Sequence, residues 1–80
     1  MRVKLQTFAG LKDRLGWSEI WIEDLREGAK VEDLLAMLAR RWPFVDRYPL
    51  AVALNRRLVE RQHALADGDE VALLPPVSGG

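Results

Sequence analysis

The sequence predicts an α+β two-layer domain in which one main helix packs on one face of a mixed sheet of four to five strands. Short segments of period-two alternation near both ends read as strands, and one central segment carries an apolar stripe at helical spacing. A chain of 80 residues, 49% apolar and 30% charged, makes one small globular unit with no room for a second.

The elements follow in order. Arg2 to Phe8 alternates, with Val3, Leu5 and Thr7 on one face and Arg2, Lys4, Gln6 and Phe8 on the other. Ala9 to Leu15 supports one or two helical turns closed by Gly16. Ser18 to Asp24 alternates again, with Ile20 and Ile22 inward and Trp21 outward. The two strands pair as a hairpin with a helical excursion at the bend, and Trp21 is expected to cover the turn near Leu11 and Leu15. After Glu27-Gly28, the residues Val31, Leu34, Leu35, Leu38 and Trp42 form one amphipathic stripe. Glu32 and Asp33 in its first turn and Arg40 and Arg41 in its last suit the helix dipole, and Pro43 stops it. Lys30 is a poor N-cap, so packing is expected to hold this helix. Phe44 to Pro49 reads as a loop and Leu50 to Leu54 as a strand. Asn55-Arg56-Arg57 turns into a brief strand at Leu58-Val59-Glu60. Asp67-Gly68-Asp69 is a tight turn before the last strand, Glu70 to Leu74, with Val71 and Leu73 inward and Ala72 and Leu74 outward. Pro75-Pro76 ends its ladder. The β-grasp arrangement satisfies this order, with a domain over residues 1–75 and a tail over 76–80.

Composition closes most chemistries. There is no cysteine and one histidine, His63, which excludes a disulfide framework, a usual zinc site and a thiol nucleophile. Twelve basic and twelve acidic side chains cancel, so no polybasic field points to nucleic acid or an anionic membrane. No apolar run approaches a bilayer span, and Met1-Arg2-Val3-Lys4 lacks the apolar segment of a signal peptide, so a cytoplasmic domain is expected. Asp67, Asp69 and Glu70 lack the spacing of a calcium loop and read as a turn with solvated carboxylates. Gly10, Gly16 and Gly28 are too scattered to cradle a phosphate. Arg56, Arg57 and Arg61 form a local basic patch that is either a solvated edge or a surface steering an acidic partner. No metal or cofactor is expected on this chain.

One feature remains. Pro75-Pro76-Val77-Ser78-Gly79-Gly80 starts straight after a core strand, is stiffened by prolines and narrows to residues without side chains. Glycines are common at frayed ends, but such a tail also enters a channel that any Cβ would block. Its reactive group is the Gly80 α-carboxylate, an electrophile once activated as an acyl-adenylate.

These residues carry a family resemblance. Phe8-Ala9, Asn55 with Leu58-Val59, Leu65-Ala66-Asp67-Gly68-Asp69-Glu70-Val71-Ala72, and the ending Pro75-Pro76-Val77-Ser78-Gly79-Gly80 together resemble the small subunits of molybdopterin synthase, ubiquitin-like β-grasp sulfur carriers. The likeness spans the chain, although Trp17 to Tyr48 matches by pattern only. It implies that an activating enzyme of the ubiquitin-E1 type adenylates Gly80 with ATP and magnesium. A persulfide-based donor then converts the carboxylate to a thiocarboxylate. It further implies that Pro75, Pro76, Val77, Ser78 and Gly79 insert into the large synthase subunit, within a heterotetramer. There the sulfur passes to cyclic pyranopterin monophosphate.

The outward phase of Phe8 and Leu74, with Leu58 near the tail's root, adds an expected exposed apolar patch for that partner. Lone exposed apolar residues are ordinary, and the resemblance is what favours the patch. Three rival readings stay open. A sister carrier for thiamine or tRNA thiolation would share the Gly80 chemistry. A ubiquitin-like protein modifier would share the tail. A β-grasp binding module would make no use of Gly79-Gly80.

Overall fold

Alternation of Val3, Leu5 and Thr7 with Lys4 and Gln6 forms the first strand, β1 (Val3–Thr7), whose three inward residues are all buried. The computed structural model describes residues 1–47 and 49–75. Helix α1 (Ala9–Leu15) follows at once, and Gly16 closes it at φ 85°, where a Cβ would strain the backbone. Phe8 does not extend the strand as expected. Its carbonyl already accepts from Leu11 N at 3.2 Å and Lys12 N at 3.3 Å, so it serves as the N-cap of α1. Strand β2 (Glu19–Ile22) returns antiparallel to β1, giving the expected hairpin interrupted by a helix.

The stripe from Val31 to Leu38 forms helix α2 (Val31–Arg41), with Val31, Leu34 and Leu38 buried. Its start is better secured than Lys30 alone suggests. The Asp33 carboxylate accepts the Lys30 N–H at 2.8 Å, half of a capping box. The first free helical amides are taken by a distant loop: Val31 N donates to His63 O at 3.0 Å and Glu32 N to Arg61 O at 2.8 Å. The segment read as a loop after α2 begins with a 3-10 turn over Pro43–Asp46. Proline stands at its first position and Val45 is buried in the core, so burial of one valine organises the turn.

Strand β3 (Ala51–Leu54) and strand β4 (Arg57–Val59) form a hairpin, and strand β5 (Glu70–Leu74) completes the sheet. The turn between β3 and β4 has two residues rather than three. Asn55 and Arg56 both take positive φ, 50° and 72°, which brings Arg57 into the strand opposite Leu54. The sheet has five strands in the order β2-β1-β5-β3-β4. β1 and β5 are parallel; β1 with β2, β3 with β5 and β3 with β4 are antiparallel.

α2 lies on the face formed by Val3, Leu5, Val52, Leu54, Val71 and Leu73, which join Leu34 and Leu38 in one apolar core. This is the predicted β-grasp arrangement, and among the described residues no helix covers the other face of the sheet.

Removal of apolar volume from the fully buried Leu34 is expected to cost about 2–5 kcal/mol in Leu34→Ala. Loss of the Lys30 N–H acceptor in Asp33→Ala is expected to cost about 1 kcal/mol. Urea unfolding curves of the two variants against the parent check both values.

Candidate functional site

The register assembles an apolar surface on the uncovered face. One row crosses four strands, from Leu58 on β4 to Ala53 on β3, Ala72 on β5 and Gln6 on β1. The next pairs Ala51 with Leu74, and Phe8 follows Thr7, itself opposite Leu73. The alanines keep the centre flat. Leu58 and Phe8 stand out at either side, 66% and 48% exposed. The chain leaves the sheet between them, at Leu74-Pro75.

Two of the three expected docking residues are thus prominently exposed. Leu74 is half-buried, a correction to its expected exposure, because it ends a central strand and lies opposite Ala51 of β3. The structure adds Ala51 and Ala72, both half-buried, to this face, with Ala53 on the same face but buried by its neighbours. Their signal was available in the outward phase of the strands, but alanine is too small to stand out in a scan for apolar side chains.

Trp21 does not cover Leu11 and Leu15. Its ring lies on the uncovered face with the Arg2 guanidinium 3.9 Å from its centroid. Arg2 also pairs with Glu23 at 3.6 Å, and Lys4 pairs with Glu19 at 3.7 Å and Glu70 at 3.8 Å. The uncovered face is therefore divided. Ion pairs occupy the half at β2 and the start of β1, and the apolar half borders the root of the tail.

The acidic residues of the Asp-Gly-Asp-Glu turn do more than meet solvent. Asp67 Oδ1 accepts the Arg2 N–H at 2.8 Å, and Asp69 Oδ2 accepts the Ala66 N–H at 2.7 Å. Asp69 Oδ1 accepts from Asn55 Nδ2 at 3.0 Å, while Asn55 Oδ1 accepts the Glu70 N–H at 3.0 Å. The Asn55 backbone N–H adds a 2.8 Å bond to Glu70 O. Asn55 thus clamps the β3–β4 hairpin to the start of β5. Among the described residues no group of acidic or histidine side chains is arranged to hold a metal. Arg56, Arg57 and Arg61 do not act together: Arg61 donates to Leu50 O at 3.0 Å, away from the hairpin tip. His63 is exposed, with Nδ1 2.8 Å from Ala64 O, and its backbone carbonyl caps α2.

Pro75 is exposed at the end of β5. Pro76, Val77, Ser78, Gly79 and Gly80, the other residues expected to carry the chemistry, lie outside the described residues, as does the boundary between domain and tail. Among the described residues no helix is long and apolar enough to cross a membrane.

The motif clamp and the open apolar half-face are joined by matches to known proteins. The ThiS family matches residues 5–80. The chain belongs to the ThiS family. The molybdopterin synthase sulfur carrier subunit of Chlamydomonas reinhardtii is 42% identical over 100% of both chains. Among solved structures, a putative molybdopterin converting factor subunit 1 from Pyrococcus furiosus superposes with a TM-score of 0.87 at 32% identity, covering 96% of this chain and 99% of that one. Small archaeal modifier protein 1 of Haloferax volcanii gives 0.82 at 28% identity, over 95% and 98% of the two chains. A protein–protein complex of subunits 1 and 2 of the molybdopterin-converting factor from Helicobacter pylori gives 0.71 at 29% identity, over 100% of both chains. In this family, as in this chain, the sheet and single main helix form the ubiquitin-like β-grasp.

Loss of the clamp in Asn55→Ala removes two side-chain hydrogen bonds and places alanine at positive φ. It is expected to lower stability by about 1–2 kcal/mol. Leu58→Ala, truncating an exposed side chain, is expected to stay within about 0.5 kcal/mol of the parent. Thermal or urea unfolding checks both; equal destabilisation by the two variants contradicts the assignment.

Proposed function

We propose that this chain is the sulfur-carrier small subunit of molybdopterin synthase. The observation that carries the reading is the flat apolar half-face built around the root of a Gly-Gly segment, in a member of a family whose 42% identical relative bears that name. A flat face with two protruding apolar side chains suits docking on another protein, not enclosure of a small substrate. The reactive centre is the Gly80 carboxylate. Adenylation by an E1-type enzyme, using ATP and magnesium held by that enzyme, makes its carbonyl electrophilic. The terminal sulfur of a persulfide donor attacks that carbonyl, and AMP leaves with one carboxyl oxygen. A second thiol of the activating or donor enzyme then cleaves the S–S bond of the resulting acyl disulfide, freeing the Gly80 thiocarboxylate and leaving a disulfide on that enzyme. Pro75, Pro76, Val77, Ser78 and Gly79 then carry the thiocarboxylate into the large subunit of a cytoplasmic heterotetramer. Phe8, Leu58 and Leu74 hold the domain at its entrance, and cyclic pyranopterin monophosphate receives the sulfur.

This division of labour explains why a chain without cysteine handles sulfur: the sulfur rides on a backbone carbonyl, and the partner supplies the catalytic side chains. The likeness to the Haloferax volcanii modifier protein favours a second reading, in which activated Gly80 is transferred to lysines. Gly80-linked lysine conjugates in cell extract would distinguish it.

The test is loading followed by transfer. Incubation with an activating enzyme, ATP and a sulfur source is expected to replace one oxygen by sulfur in the intact mass, and deletion of Gly80 to abolish the change. Addition of the large subunit and cyclic pyranopterin monophosphate should then yield molybdopterin. A chain that stays unloaded beside a control carrier loaded under the same conditions would falsify the reading. Separately, Phe8→Ala, Leu58→Ala and Leu74→Ala should each weaken large-subunit binding roughly tenfold or more, about 1.4 kcal/mol. Leu74→Ala should in addition lose about 1 kcal/mol of fold stability, because its side chain is half-buried.

A further inference from the structure

The hairpin geometry determines which backbone groups of the edge strand β4 are free. A two-residue turn with positive φ at both positions makes its flanking residues, Leu54 and Arg57, a hydrogen-bonded pair. Alternation along the ladder then makes Ala53 and Leu58 a non-bonded pair, and Val52 and Val59 a bonded one. The 2.8 Å bond from Asn55 N to Glu70 O supports this parity, since it aims Asn55, and with it Ala53, at β5. The N–H and C=O of Leu58 consequently point away from β3, to the open edge of the sheet.

Leu58 thus presents its backbone groups to the edge and a 66% exposed side chain to the uncovered face. An open groove of about 540 Å3 runs along the same edge, lined by Arg57, Leu58, Val59, Glu60, Gln62 and His63. The opposite edge differs: at β2 the ion pairs Arg2–Glu23 and Lys4–Glu19 lie across the strand pair, which suits an edge kept from pairing. Among the described residues, no carboxylate lies within ion-pair distance of Arg56 or Arg57 beside Leu58. The Asn55 clamp fixes the hairpin against β5, so this edge is ordered before any partner arrives.

We propose that an extended segment of the large subunit adds to β4 as a further strand, bonding the Leu58 N–H and C=O. It would lay an apolar side chain over Leu58 and bring a carboxylate to Arg56 or Arg57. The proposal rests on the sulfur-carrier reading, and it follows from continuity: Leu58 belongs at once to the apolar half-face and to the free edge. Such pairing would fix the angle at which the domain sits on its partner, and so the line along which the tail enters. The apolar face alone, being flat, would leave that angle loosely set.

Amide hydrogen exchange of the full chain, alone and with the large subunit, tests this. The Leu58 amide is expected to exchange freely in the isolated protein and at least roughly tenfold more slowly in the complex. Leu58→Pro removes the outward N–H but leaves the bonds to β3 intact. It should weaken binding beyond Leu58→Ala, with the far-ultraviolet circular dichroism of both matching the parent. A complex in which Leu58 still exchanges freely overturns strand addition and leaves the sulfur-carrier reading standing. Protection without the large subunit, growing with protein concentration, overturns it in favour of a second copy at the edge. Failure to form any complex overturns both readings.

Discussion

The parallel pairing of β1 with β5 is the constraint on which the rest of the molecule depends. Two parallel strands cannot be joined by a tight turn, so the chain between them must cross the sheet. Here the crossing includes α2, whose apolar stripe then covers one face. Because the last strand enters between β1 and β3, it is held on both sides up to Leu73, and by β3 at Leu74. The chain leaves the sheet from its most firmly held strand. Pro75 therefore follows directly on a strand held in the middle of the sheet.

The same constraint separates the two faces of the sheet. α2, with Leu11 and Leu15 of α1, buries Val3, Leu5, Val71 and Leu73, and among the described residues no helix covers the other side. That side is handled in two ways. Around β2 and the start of β1, Arg2 stacks on Trp21 and the lysine–glutamate pairs cover the surface. Around β3, β4 and the end of β5, alanines keep it flat and apolar, with Leu58 and Phe8 projecting. Exposed ion pairs add little to stability. They make the half around β2 and the start of β1 polar and leave the half around β3, β4 and the end of β5 as the apolar part of the face.

Much of this was legible in the sequence. The inward phases of β1 and β5, the stripe of α2, the Gly16 cap and the turn at Asp67-Gly68-Asp69 are local patterns that report directly on backbone periodicity. The misreadings lie where a distant partner decides. Phe8 looked like the end of a strand because its capping role depends on the helix that follows. The start of α2 looked weak because its amides are capped by the carbonyls of Arg61 and His63, about thirty residues away. The neighbour of Trp21 is not legible locally, because Arg2 reaches its ring only across the β1–β2 pair. Asp67 is exposed as expected, but the Arg2 amide it accepts from becomes its neighbour only when the sheet forms.

For the site, the sequence by itself determined which groups the proposed chemistry can draw on: no cysteine, one histidine and a Pro-Pro-Val-Ser-Gly-Gly segment are covalent facts that folding does not change. Only the tertiary structure decided the geometry around it. Asn55 is an ordinary turn residue until β5 lies beside it, and Ala51, Ala53 and Ala72 are ordinary alanines until the register aligns them between Leu58 and Phe8. The physical reason is the same in each case. Reactivity resides in single groups, whereas a surface exists only once strands distant in sequence are hydrogen-bonded side by side.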